Sequence, residues 1–470
     1  MTQSAMDASP ANAPPLDPAH ATPSAPSVAS AALAAQTSGS DTRRVGLRDW
    51  YMLIVLTAIF VLSFIDRSSL SLVVGPLKQE LGVSDFQMSL LLGLSFVVLY
   101  STFSIPAGYL ADRFSRRGII GWAVFVWSSM TVLCGFASNY IQLFLGRTGI
   151  GIGEGALQPA AYSMIRDTFP PDRRGRAFGI YHMGPMLGVG FSLFVGGTLL
   201  SLSQSGDVAH WPILGSLRPW QFVIVVPGLL GIPLALLMLT LREPKRAARQ
   251  QASDAAGYRD ALRFIRSEWR LYVPLWTAAT LYAMAISGFN AWLPTVIARA
   301  WQLPLPSIGR MLGPLMMVSV PAGLVLLGAV MDRLSRRGRR AAPLEVAMVS
   351  TFLSCLATLF LAFTDNHVLA VVLYVCHTFF ASPIPSSAGA TMAQITPGRM
   401  MGKLSSLFFL VQNLLGLALG PTVAATISHL FFSGPMAMGY AIITTFCGCT
   451  AIAGVMYALV AAQVRRRNFE

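Results

Sequence analysis

Residues 404 to 464 contain no Asp, Glu, Lys or Arg. A water-soluble fold spreads charge over its exposed faces, whereas one bilayer crossing takes about 20 apolar residues. Further charge-free runs cover residues 118–146, 177–206, 219–241, 271–298, 311–331 and 346–364. Charged residues are 11% of the chain, against about a quarter in soluble domains, and lipid is the solvent that accounts for the deficit. The longest run exceeds one crossing, and Ser433, Gly434 and Pro435 supply a turn within it. The chain is therefore read as an all-α membrane protein with twelve transmembrane helices. The spans are 49–75, 86–111, 118–137, 140–165, 175–201, 219–241, 270–298, 308–331, 343–363, 367–394, 402–429 and 436–462. A membrane barrel would instead show short segments of alternating polarity.

Residues 1–42 hold no Lys or Arg and are rich in Ala, Pro and Ser, which predicts a disordered tail. Lys and Arg then decide the orientation. With the tail inside, the cytoplasmic segments hold 28 of the 34, and the opposite side holds only Lys78, Arg218, Arg299 and Arg310. The asymmetry predicts a multi-pass protein of the plasma (inner) membrane with both termini cytoplasmic. The net charge of +14 is thus a topology signal and not a nucleic-acid footprint. Five cysteines, all within spans, suggest neither a disulfide framework nor a metal site.

An internal repeat sets the architecture. Residues Gly108 to Gly118, GYLADRFSRRG, recur as Gly328 to Gly338, GAVMDRLSRRG, with seven of eleven positions identical. Pro170 with Gly175-Arg176 also matches Pro397 with Gly402-Lys403 at one offset. Two parallel six-helix halves follow, at 43–241 and 270–464, joined by a linker at 242–269 and ending in a basic tail at 465–470. In the linker Tyr258, Leu262, Ile265 and Trp269 recur at helical spacing while Arg259, Arg263 and Arg266 take other faces, which predicts an amphipathic helix on the inner leaflet.

The repeated Gly-x-x-x-Asp-Arg-x-x-Arg-Arg-Gly loop resembles the signature of the major facilitator superfamily over residues 49–464. The resemblance implies alternating access by a functional monomer, with no cofactor and no catalytic residues. It implies a conformational latch at Gly108, Asp112, Arg113, Arg116 and Arg117, repeated at Asp332, Arg333, Arg336 and Arg337. Phe64-Ile-Asp-Arg67, residues 146–155 (GRTGIGIGEG) and residues 165–170 (IRDTFP) are similar to the spinster branch, which implies lysolipid-type or other amphipathic anions. The anion:cation symporters share parts of this pattern and imply small carboxylates or sugar acids. Gly184-Pro-Met-Leu-Gly188 matches an antiporter motif only in part, because Val189 interrupts it, and is read as packing.

Four charges lie within spans: Asp66, Arg67, Arg147 and Glu154. Each costs about 2.5 to 3.5 kcal/mol at mid-bilayer, so they face water or one another. Arg147 and Glu154 are seven residues apart, hence on one helix face. Paired charges could simply order the bundle. The functional alternative assigns proton coupling to Asp66 or Glu154 and anion binding to Arg67 and Arg147. The second half repeats none of these charges, and helix 7 offers Ser287 and Asn290 at that level. Asn290, Trp292, Tyr374, His377, Gln412 and Asn413 are the candidate cavity residues there. No phosphate-cradling Gly-x-x-x-x-Gly-Lys loop and no His-Glu-x-x-His zinc motif occurs, which argues against a pump or a metalloenzyme. A channel or a transport-dead receptor remains the competing class.

Overall fold

The computed structural model describes residues 45–466, apart from 209, 213, 245–257, 362 and 365. The predicted tail at 1–42, linker residues 245–257 and residues 467–470 lie outside the described residues. Eleven described segments are long and apolar enough to cross a bilayer, and no strand is present among the described residues.

The crossings are α1 (Leu47–Leu72), α2 (Asp85–Leu92 with Leu94–Arg113), α3 (Arg116–Gly135), α4 (Tyr140–Gly155 with Leu157–Thr168), α5 (Pro171–Ser205) and α6 (Pro219–Thr240). After a linker helix, Tyr258–Ser267, come α7 (Trp269–Trp301), α8 (Leu305–Arg336), α9 (Ala342–Leu361), α10 (His367–Ala381 with Ile384–Ile395), α11 (Gly398–Val411 continuing to Phe431) and α12 (Ala437–Arg466). The segment outside the eleven is α4, which carries Arg147 and Glu154 in its middle and is correspondingly less apolar. Helix ends follow local chemistry. Ser84 and Gln87 cap α2 reciprocally, the Gln87 N–H donating to Ser84 Oγ at 3.2 Å. Asn139 Oδ1 caps α4 by accepting from the Gln142 N–H at 2.9 Å. Pro171 and Pro219 open their helices at the position where a missing N–H costs nothing. Several helices outrun the predicted spans: α8 continues through Arg336 and α12 through Arg466, because long basic side chains carry a helix past the hydrocarbon.

Within the first six helices α3 packs on α6, α2 on α4 and α1 on α5; within the last six α7 and α9 pack on α12, and α8 on α10. The groups meet along α5 with α8, α2 with α11 and α1 with α7. Glycine makes the α5–α8 crossing possible, since a Cβ on Gly190 would stand 2.8 Å from Gly313 O and one on Gly197 2.7 Å from Pro306 O. The Gly197 contact, and Ser89 Oγ donating to Thr422 Oγ1 at 3.3 Å, lie toward the end of the bundle opposite the repeat loops, while Gly190 sits at mid-helix. The bundle is closed at that far end. A π-turn over Gln412–Leu417, its i+5 bond running from the Ala418 N–H to Asn413 O at 2.9 Å, interrupts α11 at mid-length.

Candidate substrate cavity and charge cluster

The glycines of α4 determine where its charges sit. A Cβ on Gly151 would stand 2.4 Å from Phe96 O, one on Gly155 2.8 Å from Tyr100 O, and one on Gly153 2.8 Å from Trp127 Cβ. Small residues at this spacing let α2 and α3 close on α4, so Arg147 and Glu154 are pressed toward α1 and α2. Glu154 Oε2 accepts from Arg67 Nε at 2.7 Å and lies 2.5 Å from Nη2. The Arg67 guanidinium carbon is 4.8, 4.6 and 4.5 Å from the ring centres of Phe64, Phe96 and Tyr100, a cage that stabilises a cation by its π faces.

Arg147 is held differently. Its Nη1 donates to the backbone oxygen of Asp66 at 3.3 Å, its Nε has no hydrogen-bond partner, and it forms no salt bridge among the described residues. Both carboxylate oxygens of Asp66 are buried without a hydrogen bond. The four charges therefore give one ion pair, one backbone-held arginine and one unbonded acid. The alternative in which paired charges simply order the bundle accounts for two of the four.

Arg67 and Arg147 line a central cavity of ≈ 230 Å³ between the two helix groups. Asn290 and Tyr374 face it from the second group, as do Ser287 and the apolar Ile286, Leu312, Met316 and Leu417. Asp66 and Glu154 stand behind its wall. Ser68 and Ser71 also line it; they were not singled out in the sequence, although Ser71 sits four residues after Arg67 and so shares its helix face. His377 is not among the lining residues. Its Nδ1 meets Thr358 Oγ1 at 2.8 Å and Ser354 Oγ at 3.1 Å, and its ring packs 4.5 Å from Phe289 and 4.9 Å from Phe446. Trp292 Nε1 donates to Pro421 O at 3.2 Å, tying α7 to α11, and Gln412 Nε2 reaches Ala279 O at 3.5 Å. Gln412 and Asn413 belong to the π-turn and lie outside the lining. No cluster that could hold a metal occurs among the described residues.

The repeat loops lie at the other end. Arg116 is 1% exposed. Its Nε donates to Glu243 Oε1 at 2.8 Å, Nη1 to Ser163 Oγ at 2.9 Å and also to Asp167, and Nη2 to Pro244 O at 2.7 Å. Glu243 further accepts from the backbone N–H groups of Arg116 and Arg117 at 3.2 and 2.9 Å, and so caps α3. Burial raises the Glu243 carboxyl, but bonds from Arg116, Arg117 and Ser115 outweigh it and hold the group below the ordinary glutamate value. Arg117 Nη1 donates to Leu241 O at 2.8 Å, and Arg113 stacks 4.2 Å from the Tyr109 ring. Gly108 faces Pro159 of α4 and Asp112 is exposed. In the second loop Asp332, Arg333, Arg336 and Arg337 are exposed.

The chain is 28% identical to a probable L-galactonate transporter of Escherichia coli, over 84% of this chain and 85% of that protein. It is 25% identical to an MFS-type efflux pump of Mycolicibacterium smegmatis, over 90% and 95%. The crystal structure of a bacterial homolog of the human lysosomal transporter Spinster, inward-facing and unoccupied, superposes with TM-score 0.73 at 25% identity, covering 89% of this chain and 97% of that one. A twelve-crossing bundle with a repeated basic loop and a cavity between its halves agrees with the family model for the Major Facilitator Superfamily, which matches residues 56–421, and the chain belongs to that family.

Proposed function

We propose that this multi-pass membrane transporter carries an organic anion by proton-coupled alternating access, as a monomer with both termini cytoplasmic. The observation that carries the reading is Arg147: a guanidinium on the cavity wall with no carboxylate partner among the described residues. A cation so placed makes no direct ion pair until an anion enters, and its planar fork grips a carboxylate or phosphate through two bonds. Arg67, already paired with Glu154, becomes available when Glu154 takes a proton. Buried acids are tolerated only neutral or paired, so Asp66 and Glu154 are the groups that exchange the proton. Substrate and proton then compete for the same arginines, which couples their movements.

The apolar wall from α7 and α8 packs the carbon skeleton. The cavity is smaller than the ~300–1,000 Å³ of drug-sized sites, which favours a compact carboxylate such as an aldonate; the likeness to a probable L-galactonate transporter supports the same class. The largely apolar lining and the spinster likeness support a second reading, an amphipathic anion whose headgroup alone occupies the cavity. The described bonds of Arg116 and Arg117 stay within the first half, and the repeat loops act as a latch between the halves only when the repeat-loop end closes.

Thermal-shift measurements on the purified chain with aldonates and with lysophospholipids separate the two readings, since a ligand of the folded state raises its melting temperature. Saturable, pH-gradient-driven flux of the stabilising anion into proteoliposomes is the expected result. Flux that fails to saturate, or is indifferent to the proton gradient, overturns the coupled-carrier reading.

A further inference from the structure

The linker helix Tyr258–Ser267 has three faces, and none of them lines the transport cavity. Ala261, Phe264 and Ile265 dock it on the second half: Ala261 is fully buried and the Phe264 ring lies 5.7 Å from Tyr272 at the start of α7. Tyr272 in turn shares a 2.7 Å hydrogen bond with Thr396 beyond α10, and Lys403 of α11 lies 5.7 Å from the Tyr258 ring. The helix is therefore fixed to the second half. A second stripe, Tyr258 with Leu262, is 57% and 55% exposed, and Trp269 after the helix is 54% exposed. A third stripe is basic: Arg259, Arg263 and Arg266 stand four and three residues apart on one face, all exposed, and Arg270 follows.

We propose that this helix is a binding site for anionic phospholipid headgroups in the leaflet at the repeat-loop end, and that it anchors the second half while the first rocks. Three observations select a lipid surface. The exposed aromatic and aliphatic stripe runs beside the arginine stripe, so insertion of one to the acyl boundary brings the other to phosphate level. Over residues 258–267 three arginines stand against one acid, Asp260, which lies 3.7 Å from Arg263, so positive charge is in excess along the helix. The helix runs directly into a membrane-crossing helix, which fixes its height at the bilayer surface. An acidic protein would match the charge but leave the apolar stripe in water.

The test uses the full chain in nanodiscs of phosphatidylcholine, with or without phosphatidylglycerol. Phosphatidylglycerol is expected to raise the melting temperature and to remain bound in native mass spectrometry, whereas inorganic phosphate at equal concentration does neither. Neutralising Arg259, Arg263 and Arg266 together to Gln is expected to weaken phosphatidylglycerol retention on the order of a hundredfold without changing stability in phosphatidylcholine. A second variant, Tyr258→Ser with Leu262→Ser, keeps the charge and is expected to lose part of the retention. An unaltered lipid response in the triple variant, or reproduction of the effect by free phosphate or by phosphatidylcholine alone, overturns the site.

Discussion

The two repeat loops share seven of eleven residues, yet Arg116 is 1% exposed among two carboxylates while Arg336 at the matching position stands in solvent. The motif is the same; its surroundings are not. At the offset that aligns Pro170 with Pro397, Asp167 corresponds to Gln394, so the second loop has no acid on that helix to receive its arginine. Its acid is Glu345 at the start of α9, which accepts from Arg465 at 2.7 Å and pairs with Arg339 at 3.1 Å. The first half thus clamps its loop to the ends of α4 and α6, and the second ties α9 to α12. The same contrast holds in mid-membrane, where the first half supplies every charge and the second a neutral wall. A duplicated scaffold has been divided into an ionic half and a shape-giving half.

The sharpest break of this division is Arg147→Ala. Loss of a charge-assisted grip on an anion costs about 2–5 kcal/mol, so ligand affinity read by titration should fall on the order of a hundredfold or more. Arg147→Lys should recover only part, because a point charge lacks the fork. Binding that survives Arg147→Ala would move the anion elsewhere.

Next come the clamps. Arg116→Ala leaves Asp167 with only the exposed Arg166, 3.3 Å away, and weakens the Glu243 cap; breaking a buried pair costs about 3–5 kcal/mol, and a clear drop in melting temperature is expected. Arg336→Ala at an exposed site should stay within about 0.5 kcal/mol. Equal effects would abolish the contrast between the loops.

Glu154→Gln and Asp66→Asn test the proton reading. In whichever residue carries the proton, substrate exchange across the membrane should persist, since exchange needs no net proton, while uphill accumulation driven by a pH gradient is lost. If both variants accumulate substrate with unchanged pH dependence, the cluster only orders the bundle.

Acid should expose the Glu243 clamp by itself. Because its folded-state value is depressed, its stabilisation is complete above the unfolded glutamate value and is lost as pH falls through the folded one. Melting temperature in acid should therefore fall more steeply for the wild type than for Glu243→Gln, and parallel pH profiles would show that the carboxylate contributes nothing.

Most of this architecture is legible in the chain. Charge-free runs mark the crossings because lipid excludes charge, and the repeat marks the halves because each loop must meet the same headgroup surface. Arg67, Arg147, Asn290 and Tyr374 were found as cavity residues because polar groups in a span need a reason to be there. The partners were not legible. Glu243 lies 127 residues from Arg116, and nothing local says that it caps α3. Arg147 meets a backbone oxygen, a group every residue carries. His377 follows Tyr374 by three residues, about 60° round the helix, and that rotation turns it away from the cavity into a nest of Ser354, Thr358 and two phenyl rings.

The smallest expected effect is also the most diagnostic of the neutral wall. Tyr374 lines the cavity, and its hydroxyl donates to Met316 Sδ at 3.7 Å, a weak bond to a soft acceptor. If the second half contributes shape, Tyr374→Phe removes one marginal hydrogen bond and keeps the ring, costing no more than about 1 kcal/mol and a few-fold in KM with kcat unchanged. Tyr374→Ala removes the ring and enlarges the cavity between α8 and α10, so affinity for the native anion should fall while bulkier anions of the same charge gain relative to it. Competition assays over an anion series of increasing size read that shift directly. Should Tyr374→Phe alone depress transport as far as Arg147→Ala, the hydroxyl is binding substrate, and the second half is no longer the neutral partner.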